Sequence, residues 1–305
     1  MAYRFKKNEA VEVGVGRIVT QEIDAVLAAI QDPAVSVDEA IHQARQRCKK
    51  IRAVLKLIRP ALGQTYALEN QWYRDAARGL APQRDAVSRI AAYDLLMERV
   101  NEQVKRGEFA SIRRQLTRRK KAIDADADGA VFVERFAAAL REGRGRVESW
   151  SLNNPEGGVC GFAIVEGGLH ATYRKGLAAM QAAYDDPSPT RFHEWRKRVK
   201  DHRYHVQLLR GVWKPVMKTW CDLLHDLSDL LGADQDLAVL RQYVTAERES
   251  LGDQRKVEAL LALIQSSRGD LETRARTLGR RAFAEQPKEM VKRVEAYWRE
   301  WREED

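Results

Sequence analysis

The sequence predicts an all-α protein built as two repeated antiparallel helical bundles, and three observations lead there. A histidine followed by a ladder of cations occurs twice. It runs Ile41-His42-Gln43-Ala44-Arg45-Gln46-Arg47-Cys48-Lys49-Lys50-Ile51-Arg52 and again Phe192-His193-Glu194-Trp195-Arg196-Lys197-Arg198-Val199-Lys200-Asp201-His202-Arg203, with an offset of 151 in a chain of 305 residues. Apolar residues recur at helical spacing, and no convincing alternating strand is present. Charged residues make up 32% and there are only 8 prolines, a balance that suits a helix-rich soluble chain. A repeat at half the chain length points to duplication and to a site built twice.

In the first half the pattern predicts helices over 16–31, 36–59, 66–80 and 84–105, followed by Phe109 to Ala122 and Val131 to Arg141. In the second it predicts 167–184, 188–211, 214–231 and 234–249, followed by Val257 to Ala284 and Pro287 to Trp301. The two His helices carry start signals at Val35 to Glu39 and at Ser188 to Arg191, and Arg59-Pro60 is a stop signal for the first. The offset of 151 also pairs Gly16 with Gly167, Asp75 with Asp226, and Asp85 with Asp236. The last pair is expected in a turn between helices. Gly143 to Gly168, with Asn153-Asn154-Pro155-Glu156-Gly157-Gly158, reads as a linker. The expected organisation is therefore a first bundle over 1–142, a linker over 143–168 and a second bundle over 169–305, with short loops inside each bundle.

The spacing inside the repeat has a physical meaning. At 3.6 residues per turn, positions 0, +3, +7, +10, +14 and +17 fall on one helical stripe. That stripe is His42, Arg45, Lys49, Arg52, Lys56, Arg59 in one copy and His193, Arg196, Lys200, Arg203, Gln207, Arg210 in the other. The adjoining stripe is apolar: Ile41, Ala44, Cys48, Ile51, Leu55, Ile58, and Phe192, Trp195, Val199, His202, Val206, Leu209. Each helix thus pairs a core face with a cationic face about 25 Å long. Like charges three or four residues apart repel by a few tenths of a kcal/mol each. A solvated face ordinarily mixes signs, yet these stripes exclude Asp and Glu in both copies. A polyanion lying along them would remove the repulsion and release its own counterions.

Composition points the same way. There are 53 Lys and Arg against 44 Asp and Glu, a net charge of +9, which favours anionic partners. No run approaches eighteen apolar residues, so no transmembrane span is expected, and Met1 to Glu9 lacks an apolar signal core. Three dispersed cysteines, Cys48, Cys160 and Cys221, suit reduced thiols in a cytoplasm.

Other signals compete and are weaker. His202 and His205 lie three apart, but His202 falls on the apolar stripe as a core residue, and surrounding cations would repel a metal ion. Asp124-Ala125-Asp126-Ala127-Asp128-Gly129 begins like a calcium loop, but the twelfth position is Arg135 where a glutamate is needed. The basic run Arg113, Arg114, Arg118, Arg119, Lys120, Lys121 could meet nucleic acid, but a solvated helix face explains it as well. Trp195, Trp298 and Trp301 sit where packing is expected rather than base stacking. Cys48 lies near cations, but its stripe makes a buried structural thiol the expectation. An enzyme would need paired carboxylates, a nucleophile with its base, or a metal-binding cluster, and the pattern offers none; Asp85 and Asp236 are expected to orient cations or cap helices.

The two His-Arg helices, the Arg84-Asp85 pair and Tyr173-Arg174-Lys175-Gly176 resemble the CHAD domain, named for its conserved histidines and α-helices. The resemblance covers nearly the whole chain and makes both bundles one domain. It implies two pseudo-twofold-related four-helix bundles around a basic central groove, which binds inorganic polyphosphate, with polyphosphate granules as an associated location. It implicates His42, Arg45, Lys49, Arg52 and Lys56 in the first half. In the second it implicates Arg174, Lys175, His193, Arg196, Lys197, Lys200, Arg203 and Tyr204. No catalytic residue, cofactor or metal is implied. Thr20 to Asp24 stand where the other half has Tyr173-Arg174-Lys175, Gln235 stands where the first half has Arg84, and Gln207 stands where it has Lys56. The halves are therefore expected to bind unequally. A general polyanion or nucleic-acid binder is the alternative. On the stripe reading, Arg45→Glu with Arg203→Glu should abolish binding.

Overall fold

The computed structural model describes residues 3–303 apart from 79–80, 103, 105, 127–128 and 154–160; the side chains of 81–87, 106, 122–126 and 129–132 also lie outside the description. The described residues are helical throughout, without a strand. The helices are α1 (Val11–Gln31), α2 (Val37–Leu57), the single turn α3 (Arg59–Leu62), α4 (Thr65–Arg78) and α5 (Ala81–Arg99). A short 3-10 turn, Arg106–Phe109, leads into α6 (Ala110–Asp126) and α7 (Gly129–Val147). The second half holds α8 (Phe162–Asp185), α9 (Pro189–Leu208), α10 (Lys214–Ala246), α11 (Gln254–Ala282) and α12 (Pro287–Glu303).

The repeat survives in three dimensions. α1 and α8 begin 151 residues apart, at Val11 and Phe162, and α2 and α9 end 151 apart, at Leu57 and Leu208, with α4 and α5 together answering to α10. Packing repeats as well. α2 packs on α1 and α4 as α9 packs on α8 and α10, while α5 meets α6 as α10 meets α11, and α1 meets α7 as α8 meets α12. Ser36 and Ser188 cap the two His helices, each side chain accepting from the backbone N–H three residues on at 3.3 Å.

Two expectations change. Gln235 and Asp236 do not sit in a turn but mid-way along α10, a continuous helix of 33 residues. No proline falls in its interior, and the Arg196 guanidinium packs near Gly232, where an added Cβ would stand 3.4 Å from it. The linker expected over 143–168 is shorter at both ends, since α7 continues to Val147 and α8 starts at Phe162. The two halves also pack against each other. α5 lies on α10 and α11, and α2 touches α8 and α9, because faces left uncovered within one half are covered by the other. Asp85, the side chain of Arg84, Cys160 and most of the Asp124–Gly129 stretch fall outside the described side chains.

One buried apolar cluster runs through both halves. Both apolar stripes enter it: Ile41, Ala44, Cys48, Ile51, Leu55 and Ile58, and Phe192, Trp195, Val199, His202, Val206 and Leu209, are all buried. The closest helix crossing uses Gly168, where an added Cβ would stand 1.9 Å from the Leu57 carbonyl oxygen; glycine lets α8 rest directly on the end of α2. The N-terminal segment straps the halves together. Tyr3 donates from its hydroxyl to the Lys50 carbonyl at 2.8 Å, and the Phe5 N–H donates to the Leu208 carbonyl at 3.0 Å.

Candidate functional site: a cationic cleft between the repeated helices

Burying the apolar stripes of α2 and α9 turns their polar stripes toward each other. The two helices meet where His205, buried, donates from Nε2 to the Ala53 carbonyl at 2.9 Å. Beside that crossing a cleft of about 660 Å³ opens, walled by α2, α4, α5, α9 and α10. His42, Arg45, Lys49, Arg52 and Lys56 line it from α2, and His193, Arg196, Lys197, Lys200 and Tyr204 line it from α9. Ten of the thirteen residues expected at the site therefore share one cavity.

Their surroundings differ. The Gln46 amide nitrogen stands 2.6 Å from His42 Nε2. Arg52 donates from Nε to Asn70 Oδ1 at 3.0 Å. Arg196 lies over Gly232, with buried Asp234 behind it as a counter-charge, and its Nε is buried without a hydrogen-bond partner among the described residues. Arg268 Nε in turn holds Asp234 at 2.7 Å. Lys197 is ion-paired to Glu194 on its own helix. Lys56 donates to both oxygens of Asp201 across the helix crossing, at 2.7 and 2.6 Å.

Crowded like charges and burial set the protonation of this site. Burial, then Arg196, Lys49 and Arg203, push the Lys200 ammonium down to about 7, with Asp229 opposing. Burial, then Lys197 and Arg196, hold His193 below its ordinary value, with Gln235 opposing, so it is neutral at neutral pH. Lys56 is lowered by burial although Asp201 pulls the other way. The cleft is therefore less charged when empty than its residues would be in water.

Three expected residues lie elsewhere. Arg203 is not in the cavity wall: it donates from Nη1 to His225 Nδ1 at 3.0 Å and covers the Tyr204 ring at 5.2 Å. Position +10 thus faces His225 on α10 and not the cavity. Arg174 and Lys175 stand on α8 outside the cavity. Lys175 nonetheless feels Arg198, Arg59 and Arg174 as like charges and Asp201 as the opposite one, so a second cationic group adjoins the cleft.

The site also holds residues the stripe did not select: Arg198, Asp201, Tyr66, Asn70, Gln235 and Asp236. Arg198 was visible as the arginine at +5 in the second copy. Its counterpart Arg47 is turned to Glu22 at 2.9 Å, as Lys50 is at 3.3 Å. Tyr173 stands at the place of Glu22 in the second half, and Arg198 pairs instead with Glu194 on its own helix at 3.2 Å. Tyr66 and Asn70, from α4, carry no sequence signal; only packing brings them in.

The competing signals resolve into structure. His202 is fully buried, ringed by Tyr173, Trp220 and Phe283 at 5.2, 5.0 and 5.9 Å, and neither ring nitrogen has a hydrogen-bond partner among the described residues. Burial drives it to about 3, so it packs as a neutral aromatic. Cys48 is buried, and burial pushes its thiol up to about 12, which removes it as a nucleophile near neutral pH. Trp195 and Trp298 are fully buried and Trp301 is nearly so, so none offers a stacking platform. In the basic run, Arg113 pairs with Asp94 at 2.8 Å and Arg119 with Glu247 at 2.6 Å. Among the described residues, no group of three or more His, Cys, Asp or Glu stands where it could hold a metal ion, and no helix is long and apolar enough to cross a membrane.

Fold and cleft together define a helical protein with a repeated, cation-lined cavity. The family model for the CHAD domain matches residues 17–245, and the chain belongs to that family. Among solved structures it is similar to PptA from Streptomyces chartreusis, with a TM-score of 0.64 at 17% identity over 89% of this chain and 98% of that one. It is also similar to the CHAD domain from the plant Ricinus communis, with a TM-score of 0.52 at 16% identity over 98% of this chain and 95% of that one. At such identities the likeness is one of fold. No curated protein matches the sequence.

Proposed function

We propose that this chain binds inorganic polyphosphate in the cleft between α2 and α9. The observation that carries the reading is the charge of the cavity wall. Eight Lys and Arg side chains (Arg45, Lys49, Arg52, Lys56, Arg196, Lys197, Arg198, Lys200) face two carboxylates, Asp201 and Asp236. The unpartnered, buried Arg196 Nε supports an anionic occupant, since such a donor is costly to leave unsatisfied. Arg guanidinium forks and Lys ammonium groups neutralise successive phosphates, and His42 and His193 donate further hydrogen bonds. Membership of the CHAD domain family, whose resemblance implies polyphosphate, supports the same ligand.

The shape of the cavity favours a thin flexible chain over a duplex, which needs a broad exposed basic surface. General polyanion binding is the alternative, favoured by the net charge of +9. We read the chain as a binder and not a catalyst, because one of the two lining carboxylates is occupied by Lys56. Residence at polyphosphate granules in a cytoplasm follows from the ligand.

The test is competition. Labelled long-chain polyphosphate is bound at near-physiological salt, then challenged with single-stranded DNA, duplex DNA and RNA at matched phosphate concentration. Retention of polyphosphate supports the reading; equal displacement by nucleic acid replaces it with the alternative. Arg45→Glu with Arg196→Glu, both in the cavity wall, should abolish binding while circular dichroism keeps its helical signal. Arg196 takes the place of Arg203 in this pair because Arg203 faces His225.

A further inference from the structure

Asp201 breaks the repeat. The first copy has Lys50 at its place, and Lys56 of the first copy is answered by Gln207 in the second. Strict repetition would give neither partner of the Lys56–Asp201 pair an opposite number. The pair exists because position 201 does not repeat Lys50, and it joins α2 to α9 at 2.6 Å. Asp201 is buried, in a wall otherwise dominated by cations. Arg52 and the other cleft cations share that wall with it. Outside the cavity wall lie Arg59, Arg174 and Lys175, the second cationic group, within electrostatic reach of Asp201 and of Arg198 in the wall. Arg59 stacks on the Tyr66 ring at 4.8 Å, and none of Arg59, Arg174 and Lys175 is ion-paired among the described residues. The cations thus form a track in two segments with one carboxylate at their junction.

Resting on the polyphosphate reading, we propose that Asp201 is a specificity-determining residue that divides this track, so that a short phosphate chain fits the cleft without meeting it while a longer chain must pass it and take Lys56 from it. A passing phosphate meets the carboxylate as a like charge in a partly desolvated place, where such repulsion is felt most. It also has to compete for Lys56, whose ammonium already donates to both Asp201 oxygens. Neither cost falls on a ligand confined to the segment from His42 to His193.

The experiment compares dissociation constants for tripolyphosphate and long-chain inorganic polyphosphate, by calorimetry at fixed salt and pH. In Asp201→Asn, the preference for the long chain over the short one should rise about tenfold, the effect expected from removing one partly buried like charge. In Lys56→Gln, which leaves the carboxylate bare, that preference should fall. An unchanged preference in both variants overturns the proposal. So does an equal change for both ligands accompanied by a lower melting temperature, the signature of a pair that merely pins α2 to α9. A wild-type protein that binds neither phosphate polymer overturns the polyphosphate reading itself, and this inference with it.

Discussion

Lys200 shows how the cleft stores unfavourable charge. Its ammonium is brought to about 7 by burial and by Arg196, Lys49 and Arg203, so roughly half the empty molecules carry it at neutral pH. A bound polyanion favours the charged form and raises that value. Binding therefore takes up a proton from about pH 7 upward, toward the value reached in the complex. Affinity should fall as pH rises above about 7. Calorimetry in two buffers of different ionisation enthalpy measures the proton directly, and Lys200→Met should lose most of the slope above pH 7. An affinity flat between pH 7 and 9 in the wild type would show that Lys200 does not meet the ligand. His193, held low by burial and by Lys197 and Arg196, responds in the same sense at lower pH.

Among the elements, α2 and α9 do most of the work, and each depends on a neighbour for its orientation. α8 fixes the end of α2 through Gly168, whose backbone comes too close to Leu57 for any side chain. Gly168→Ala should cost about 3 kcal/mol, the range of severe overpacking, because Leu57 O belongs to helix backbone and cannot yield as a side chain would. Denaturant unfolding measures it, and a loss under about 0.5 kcal/mol, the level of an ordinary surface change, would mean that α8 moves freely on α2. α10 contributes differently. Its unbroken length places Gly232, Asp234 and Gln235 behind Arg196 and His193, so the helix that looked like two in the sequence acts as the rear wall of the cleft.

For the whole molecule, the decisive fact is that neither half closes the site alone. α2 supplies one wall, α9 the other, and Lys56–Asp201, His205–Ala53 and the N-terminal strap hold them in register. Salt dependence follows from the number of cations so gathered. Eight line the cavity wall, and of these Lys56 is paired with Asp201 while Lys197 and Arg198 are paired with Glu194. At about 0.7 per phosphate for a single-stranded polyanion, log affinity against log salt should have a slope between about −3 and −6, according to whether those three also meet the ligand. A slope near zero between 50 and 200 mM salt, measured by fluorescence anisotropy, would rule out a phosphate-neutralising cleft of this kind.

Helical periodicity fixed much of this protein before any folding was considered. The two stripes on each His helix, their caps at Ser36 and Ser188 and the offset of 151 are local properties, because residues three and four apart on a helix are neighbours whatever else the chain does. Ten residues that line the cavity were legible for that reason. Arg203 was misplaced because a stripe does not say where a helix leaves its partner. Gln235 and Asp236 were misassigned to a turn because two short helices and one long one share the same periodicity. Tyr66 and Asn70 left no mark, since a polar residue facing a cleft looks like one facing water. Only the tertiary structure decided that Asp201 meets Lys56 from the other half. That pairing depends on how two helices 145 residues apart in sequence cross, and crossing is set by the packing of the buried faces rather than by the charges it brings together.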